Sequence, residues 1–203
     1  LMSISAHKIY GPKGVGALYV RRKPRVRMEA IIHGGGQERG LRSGTLPVPL
    51  IVGLGKAAEI AMTDMKGDAE KTKHLASKII NSLLRMKKVY LNGSREKRWP
   101  GCLNFSFAGI EGESLMMSMK NIAVSSGSAC TSATLEPSYV IQAIGVDPDM
   151  AHSSVRIGLG RFTTGKEVDY LIEKIKSEVP RLREMSPLWE IMEKNNDTVE
   201  LVR

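Results

Sequence analysis

Three side chains stand where they could do chemistry: a cysteine, a lysine and an arginine. Cys130 sits in Ser125-Ser126-Gly127-Ser128-Ala129-Cys130-Thr131-Ser132, directly after the apolar run Ile122-Ala123-Val124. Small residues let a backbone bend and approach a ligand closely, so the segment reads as a mobile loop. An exposed thiol there can ionise and attack an electrophile. At an ordinary pKa of about 8.5 only roughly 3% is thiolate at pH 7, so catalysis needs an activating neighbour. Buried among apolar side chains, the same thiol is an inert packing residue, and the loop's own residues leave both readings open.

Lys8 belongs to His7-Lys8-Ile9-Tyr10-Gly11-Pro12-Lys13-Gly14, a turn between predicted strands at 1–6 and 15–20. A solvated turn lysine is the ordinary reading. Its company points further: Ser5, His7, Gly11, Gly14 and Gly16 bring a hydroxyl, an imidazole and open backbone to one turn. A lysine can condense with a carbonyl to a Schiff base while such neighbours hold an anionic group. No GxxxxGK[ST] is present, so the turn is not a P-loop. Arg156 stands in the middle of the strand Ser153-Ser154-Val155-Arg156-Ile157-Gly158-Leu159-Gly160. A charge there either faces outward or calls for a carboxylate partner.

The elements that must carry these residues follow from periodicity. Residues 21–46 are basic and Gly-rich, with Gly34-Gly35-Gly36 and Arg39-Gly40-Leu41-Arg42-Ser43-Gly44-Thr45, either an anion-binding loop or a plain surface loop. Pro47 and Pro49 open a helix with Leu50, Leu54, Ala57, Ala58, Ala61 and Met65 at helical spacing, read as an interdomain helix. A second helix, 69–86, buries Leu75, Ile79, Leu83 and Met86. Strands follow at 88–92 and 102–107, with Cys102 expected to pack in the core, then helices at 112–119 and 138–144. Thr164 with Glu167 forms a capping box, and Val168, Leu171, Ile172, Ile175, Val179 and Leu182 mark the buried face of a last long helix. Pro180 is expected to kink or break it. The apolar steps Leu188-Trp189 and Ile191-Met192 suggest a docking tail.

Strands alternating with helices make the chain α/β, divided into 1–65 and 66–203. The net charge of +9 comes from 30 Lys and Arg scattered among 21 acidic residues, and aromatics make up 5%, which argues against nucleic-acid binding. Two cysteines without CxxC spacing suit a reducing compartment. No apolar run approaches the roughly 20 residues a membrane span needs, no secretory or transit signal is visible, and no metal-ligand spacing occurs. The opening Leu1-Met2-Ser3-Ile4-Ser5-Ala6 reads as a strand entered partway, so the chain is expected to be the carboxy-terminal half of something longer.

With these residues in hand, the chain resembles the pyridoxal-phosphate-dependent cysteine desulfurases of the NifS/IscS type. Three ordered segments carry the resemblance. Ser3-Ile4-Ser5-Ala6-His7-Lys8-Ile9-Tyr10-Gly11-Pro12-Lys13-Gly14 is similar to the family's cofactor-lysine signature. Ser125 to Ser132 is similar to its catalytic-cysteine loop, in the long-loop group I that serves iron-sulfur assembly, and differs from the Arg-x-Gly-x-x-Cys form of the second group. Ala151-His152-Ser153-Ser154-Val155-Arg156 through Gly160-Arg161-Phe162-Thr163-Thr164 is similar to its substrate-arginine strand and following cap.

The resemblance implies the type I fold of class V aminotransferases: 1–65 as a remnant of the large domain, 66–203 as the small αβ domain. It makes Lys8 the Schiff-base lysine, Ser5 and His7 ligands of the cofactor phosphate, and Thr45 a phosphate ligand offered to the neighbouring subunit of a homodimer. Arg156 then holds the carboxylate of L-cysteine, and Cys130 accepts the sulfur as a persulfide while L-alanine leaves. The implied partners are an iron-sulfur scaffold protein, docked near Ser186-Pro187-Leu188-Trp189-Glu190, with frataxin and a LYR-motif accessory protein. The implied compartment is the mitochondrial matrix or a related organelle in a eukaryote and the cytoplasm in a bacterium. His33, His74 and His152 match none of the family's ring-stacking motif, and nothing here answers to its pyridine-pairing aspartate. The rival expectations are a selenocysteine lyase and a non-catalytic chain that keeps dimer or scaffold contacts.

Overall fold

Apolar residues at helical spacing from residue 50 to residue 83, with no proline after Pro49, give one uninterrupted helix where two were expected. In the computed structural model, which describes residues 1–126 and 138–195 (the last two by backbone alone), α1 runs Val48–Leu83, 36 residues. Pro49 is harmless in the first turn, whose N–H groups have no intrahelical acceptor. Gly67 is a lone glycine with open space around it, costing about 1 kcal/mol relative to alanine and not enough to end the helix.

The chain forms two compact units, Leu1–Gly67 and Asp68–Arg203. In the first, β1 (Met2–Ser5) and β2 (Gly16–Tyr19) pair antiparallel from Met2 opposite Tyr19 to Ser5 opposite Gly16. A Cβ at position 16 would sit 2.5 Å from the Ile4 carbonyl oxygen, so only glycine allows this pairing. The connection begins with a single 3-10 turn, Ala6–Ile9, closed by Tyr10 in the left-handed region at φ 65°.

In the second unit, β3 (Val89–Leu91), β4 (Cys102–Phe107) and β5 (Ser154–Gly158) form an antiparallel sheet in that order. Five helices accompany it: α2 (Gly112–Ser118), α3 (Tyr139–Ala143), α4 (Pro148–His152), α5 (Gly165–Glu184) and α6 (Pro187–Asn195). Alternation divides the sheet's faces. Leu103, Phe105 and Phe107 with Val155 and Ile157 meet Leu75, Ile79 and Leu83 of α1 and Val168, Ile172, Ile175 and Val179 of α5. Ala108, Ile141, Val146, Met150 and Ala151 make a smaller second cluster. The expected buried faces of both long helices are therefore present.

Two expectations are corrected. Cys102 is exposed: it opens β4 on the face away from Phe105, opposite Gly158, which has no side chain to cover it. Pro180 does not end α5, which continues to Glu184. The proline falls one turn from the helix end, where it removes a single hydrogen bond, and that turn is held by its side chains. Arg181 donates to Glu178 through Nε at 2.8 Å and Nη2 at 2.6 Å, and Lys174 reaches the same carboxylate at 2.7 Å. These two cations hold the Glu178 carboxyl below its ordinary range.

The tail packs as α6 on the same unit. Arg183 is buried and donates to the carbonyls of Ala108 (3.0 Å), Lys87 (2.7 Å) and Lys88 (3.1 Å). The Trp189 ring lies over this guanidinium at 4.0 Å, and Lys87 pairs with Glu193 at 2.6 Å. Burial pulls the Arg183 guanidinium down to about 10, so it stays charged at neutral pH. No helix among the described residues is long and apolar enough to cross a membrane.

Candidate active site

Ser5, His7 and Lys8 are presented by the hairpin of the first unit. Between them Ala6 is fully buried, and its backbone closes the turn: its N–H donates to Val15 O at 3.1 Å and its carbonyl accepts from Gly11 N–H at 2.9 Å. Small residues let the turn lie close to the first half of α1. A Cβ at position 11 would be 3.2 Å from the Ala57 methyl, and one at position 53 would be 2.9 Å from the Pro12 ring. With Ala6 tucked in, Ser5, His7 and Lys8 are left exposed. A primary amine, a hydroxyl and an imidazole within four residues of one anchored turn fit a ligand that carries both a reactive carbonyl and a phosphate.

Thr45 is exposed at the end of the Gly-rich stretch, which is tied by its own polar groups. Glu38, Arg39 and Gly40 are all left-handed, with φ 51°, 59° and 79°. Ser43 Oγ donates to His33 O at 2.9 Å, Gly44 N–H donates to Gln37 Oε1 at 3.2 Å, and Arg42 Nη1 donates to the Ser43 and Gly44 carbonyls. Thr45 therefore follows a loop of fixed backbone with a guanidinium folded against it.

Arg156 lies in the second unit, half-buried on β5, opposite Asn104 of β4 and on the sheet face away from Phe105. Its other neighbour is Ser125. The two exchange backbone hydrogen bonds, Arg156 N–H to Ser125 O at 2.7 Å and Ser125 N–H to Arg156 O at 3.2 Å, and Arg156 Nε donates to Ser125 Oγ at 3.1 Å. No carboxylate among the described residues pairs with Arg156, so the partner that its charge calls for is not a side chain described here. Cys130 lies outside the described residues. Lys8, Ser5, His7 and Thr45 thus stand in one unit and Arg156 in the other.

Sequence reasoning missed a polar row beside Arg156. Asn92 Nδ2 donates to Asn104 Oδ1 at 2.6 Å and to Ser106 Oγ at 2.9 Å, and Ser106 Oγ donates to Met150 O at 2.7 Å. The alternation of Asn104 and Ser106 with Leu103, Phe105 and Phe107 was the available signal. The loop after β5 is fastened as well: Arg161 donates to Asp68 Oδ2 through Nε at 2.7 Å, and Lys71 Nζ donates to Arg161 O at 2.7 Å.

Comparison with known proteins places these motifs in context. A family model described as "Aminotransferase class-V" matches residues 1–171. A protein of Pongo abelii named cysteine desulfurase is 60% identical over 198 residues, covering 97% of this chain and 43% of that protein. One of Rickettsia bellii named cysteine desulfurase IscS is 58% identical, covering 97% and 48%. Among solved structures, a NifS-like protein aligns with TM-score 0.77 at 38% identity, covering 89% of this chain and 46% of that one. A NifS-like protein of Rickettsia africae aligns with TM-score 0.75 at 27% identity, covering 88% and 47%. The chain spans less than half the length of the relatives it matches.

Proposed function

The chain belongs to the class V aminotransferases, and from that premise we propose that it carries the lysine, cysteine and substrate-arginine part of a cysteine desulfurase. The observation that carries the reading is the 60% identity, over 97% of the chain, to a protein named for that activity. Its cofactor is pyridoxal phosphate, which when bound supplies an electron sink for bonds broken at the substrate's carbons.

This chain's residues divide the remaining work. Lys8 would hold the cofactor through its amine, Ser5 and His7 would hold the cofactor phosphate, and Thr45 would reach the phosphate of the neighbouring subunit in a homodimer. Arg156 takes the carboxylate of L-cysteine, and the Lys8 amine, freed once the substrate's amino group has taken its place, removes the α-proton. The Cys130 thiolate attacks the substrate sulfur. As the new S–S bond forms, the carbon–sulfur bond breaks, its electron pair stays on carbon and is protonated to a methyl group, and L-alanine leaves. The persulfide on Cys130 then passes to an iron-sulfur scaffold protein, with frataxin and a LYR-motif protein as accessory partners, in a mitochondrial matrix or a bacterial cytoplasm.

The test is chemical mapping. Borohydride reduction of the native protein followed by peptide mass analysis is expected to leave a pyridoxyl adduct on Lys8, and incubation with L-cysteine is expected to add one sulfur to Cys130. Cys130→Ser is expected to lose alanine formation and persulfide while keeping the Lys8 adduct. An adduct on another lysine, or persulfide formation by the Ser variant, overturns the assignment.

A further inference from the structure

Arg156 is the long, flexible group whose orientation decides how a carboxylate is met, and its only side-chain partner among the described residues is Ser125. A guanidinium can grip a carboxylate in two bidentate ways, through the Nη1/Nη2 end or through the Nε/Nη2 side. The Ser125 hydroxyl occupies the Nε–H, at 3.1 Å, and so closes the side-on mode. The same residue is fixed in register by both backbone hydrogen bonds to Arg156, which places its Cβ beside Arg156 and leaves a single side-chain rotation to bring Oγ to the guanidinium.

We propose that Ser125 is a positioning residue that holds Arg156 so that only the Nη1/Nη2 end is offered to the substrate carboxylate. The inference rests on the reading of Arg156 given above. Its physical content is pre-organisation: a half-buried arginine already held at its stem has less rotamer freedom left to lose when the substrate arrives. It also joins the substrate-carboxylate site to the stretch leading to Cys130, which lies five residues further along the chain. No signal in the local sequence singled out Ser125 from Ser126, Ser128 or Ser132. The 31-residue separation from Arg156 is closed only by the fold.

The experiment is a double-mutant cycle on the cofactor-loaded protein. Steady-state kinetics with L-cysteine is read beside calorimetric binding of L-alanine, which keeps the carboxylate and lacks the reacting sulfur. Ser125→Ala is expected to raise KM for L-cysteine and Kd for L-alanine by about fivefold to tenfold, the span of one ordinary hydrogen bond, with kcat changed far less. Ser125→Thr, which keeps the hydroxyl, is expected to restore both. In an Arg156→Ala background the same change is expected to have no further effect on either constant.

Additive effects in the cycle, or unchanged constants in Ser125→Ala when Arg156→Ala alone weakens binding, overturn the role of Ser125. Unchanged constants in Arg156→Ala itself overturn instead the assignment of Arg156 on which it rests. If Ser125→Ala does not fold, the near-isosteric pair Ser125→Thr and Ser125→Val gives the same contrast, and equal KM values in those two overturn the proposal.

Discussion

Between Leu1 and Gly67 the only buried apolar side chains are Ala6 and Ala57, whereas Asp68–Arg203 closes around Phe105, Phe107, Ile79, Leu83, Leu103 and Ile175, all under 2% exposed. In the first unit Ile31 is 94% exposed and Met62 82%. The residues read as cofactor ligands are held there by backbone: a hairpin of two four-residue strands, a 3-10 turn, a run of left-handed residues and close approaches that only glycine permits. Arg156, proposed to hold the substrate carboxylate, is held in the second unit by a sheet with a packed face behind it. One protein thus positions functional groups in two physically different ways. A packed core backs Arg156, whereas backbone conformation and a few close approaches around Ala6 and Ala57 hold the Lys8 turn.

The sharpest way to break this contrast is to remove one large apolar side chain from each unit. Phe105→Ala is expected to cost about 3–5 kcal/mol in urea unfolding, because the ring sits between α1, α5 and the neighbouring strands and its loss leaves a cavity. Ile31→Ala is expected to stay within about 0.5 kcal/mol. Trp99 and Trp189 both lie in the second unit, so tryptophan fluorescence follows that unit selectively, with far-ultraviolet circular dichroism as the whole-chain control. A comparable loss from both substitutions would mean that the first unit has a core of its own.

A smaller effect sharpens the account of the second unit. Gly109 has φ 83°, and a Cβ there would collide with the Trp189 ring. Gly109→Ala is expected to cost about 2 kcal/mol, combining left-handed backbone strain with displacement of the ring from the Arg183 guanidinium. The same variant should shift Trp189 fluorescence before global unfolding. Unchanged emission and stability would show that α6 is held by Lys87 and Glu193 without the stacked ring.

The contrast also explains what could be read in the sequence. The core of the second unit was legible because Leu75, Ile79 and Leu83, and Val168, Ile172, Ile175 and Val179, repeat with the helix period, and that period survives folding. The hairpin was legible from its two apolar runs and glycine turn. What escaped was set by partners distant in the chain. Cys102 is exposed because its cross-strand partner is Gly158, and α1 continues past residue 65 because one glycine does not outweigh cooperative helix propagation. Arg183 finds its carbonyls some 75 to 96 residues away. Ser125 gains its meaning only where Arg156 comes alongside. For the candidate site, residue types were readable locally, while the contacts that aim them were not.

A smaller loss than that at Gly109 probes whether local hydrogen bonding also matters in the well-packed unit. Thr164 caps α5: its Oγ accepts from Glu167 N–H at 3.3 Å, and the Glu167 carboxylate accepts from Thr164 N–H at 2.7 Å and Thr164 Oγ at 2.9 Å. The Thr164 backbone and then its hydroxyl hold the Glu167 carboxyl below its ordinary range. A carboxyl whose folded pKa is depressed binds fewer protons in the native state. Its stabilisation is therefore present above the unfolded value, near 4.3, and disappears as pH falls through the lower folded value. Thr164→Ala is expected to cost about 1 kcal/mol at pH 7, in line with loss of an N-cap hydroxyl. Part of that cost comes through Glu167, so the gap between wild type and variant should narrow as pH drops below about 4. A gap of constant size from pH 7 to pH 3 would mean that the hydroxyl acts on the helix terminus alone. The reciprocal half of the box would then contribute nothing through the carboxylate charge.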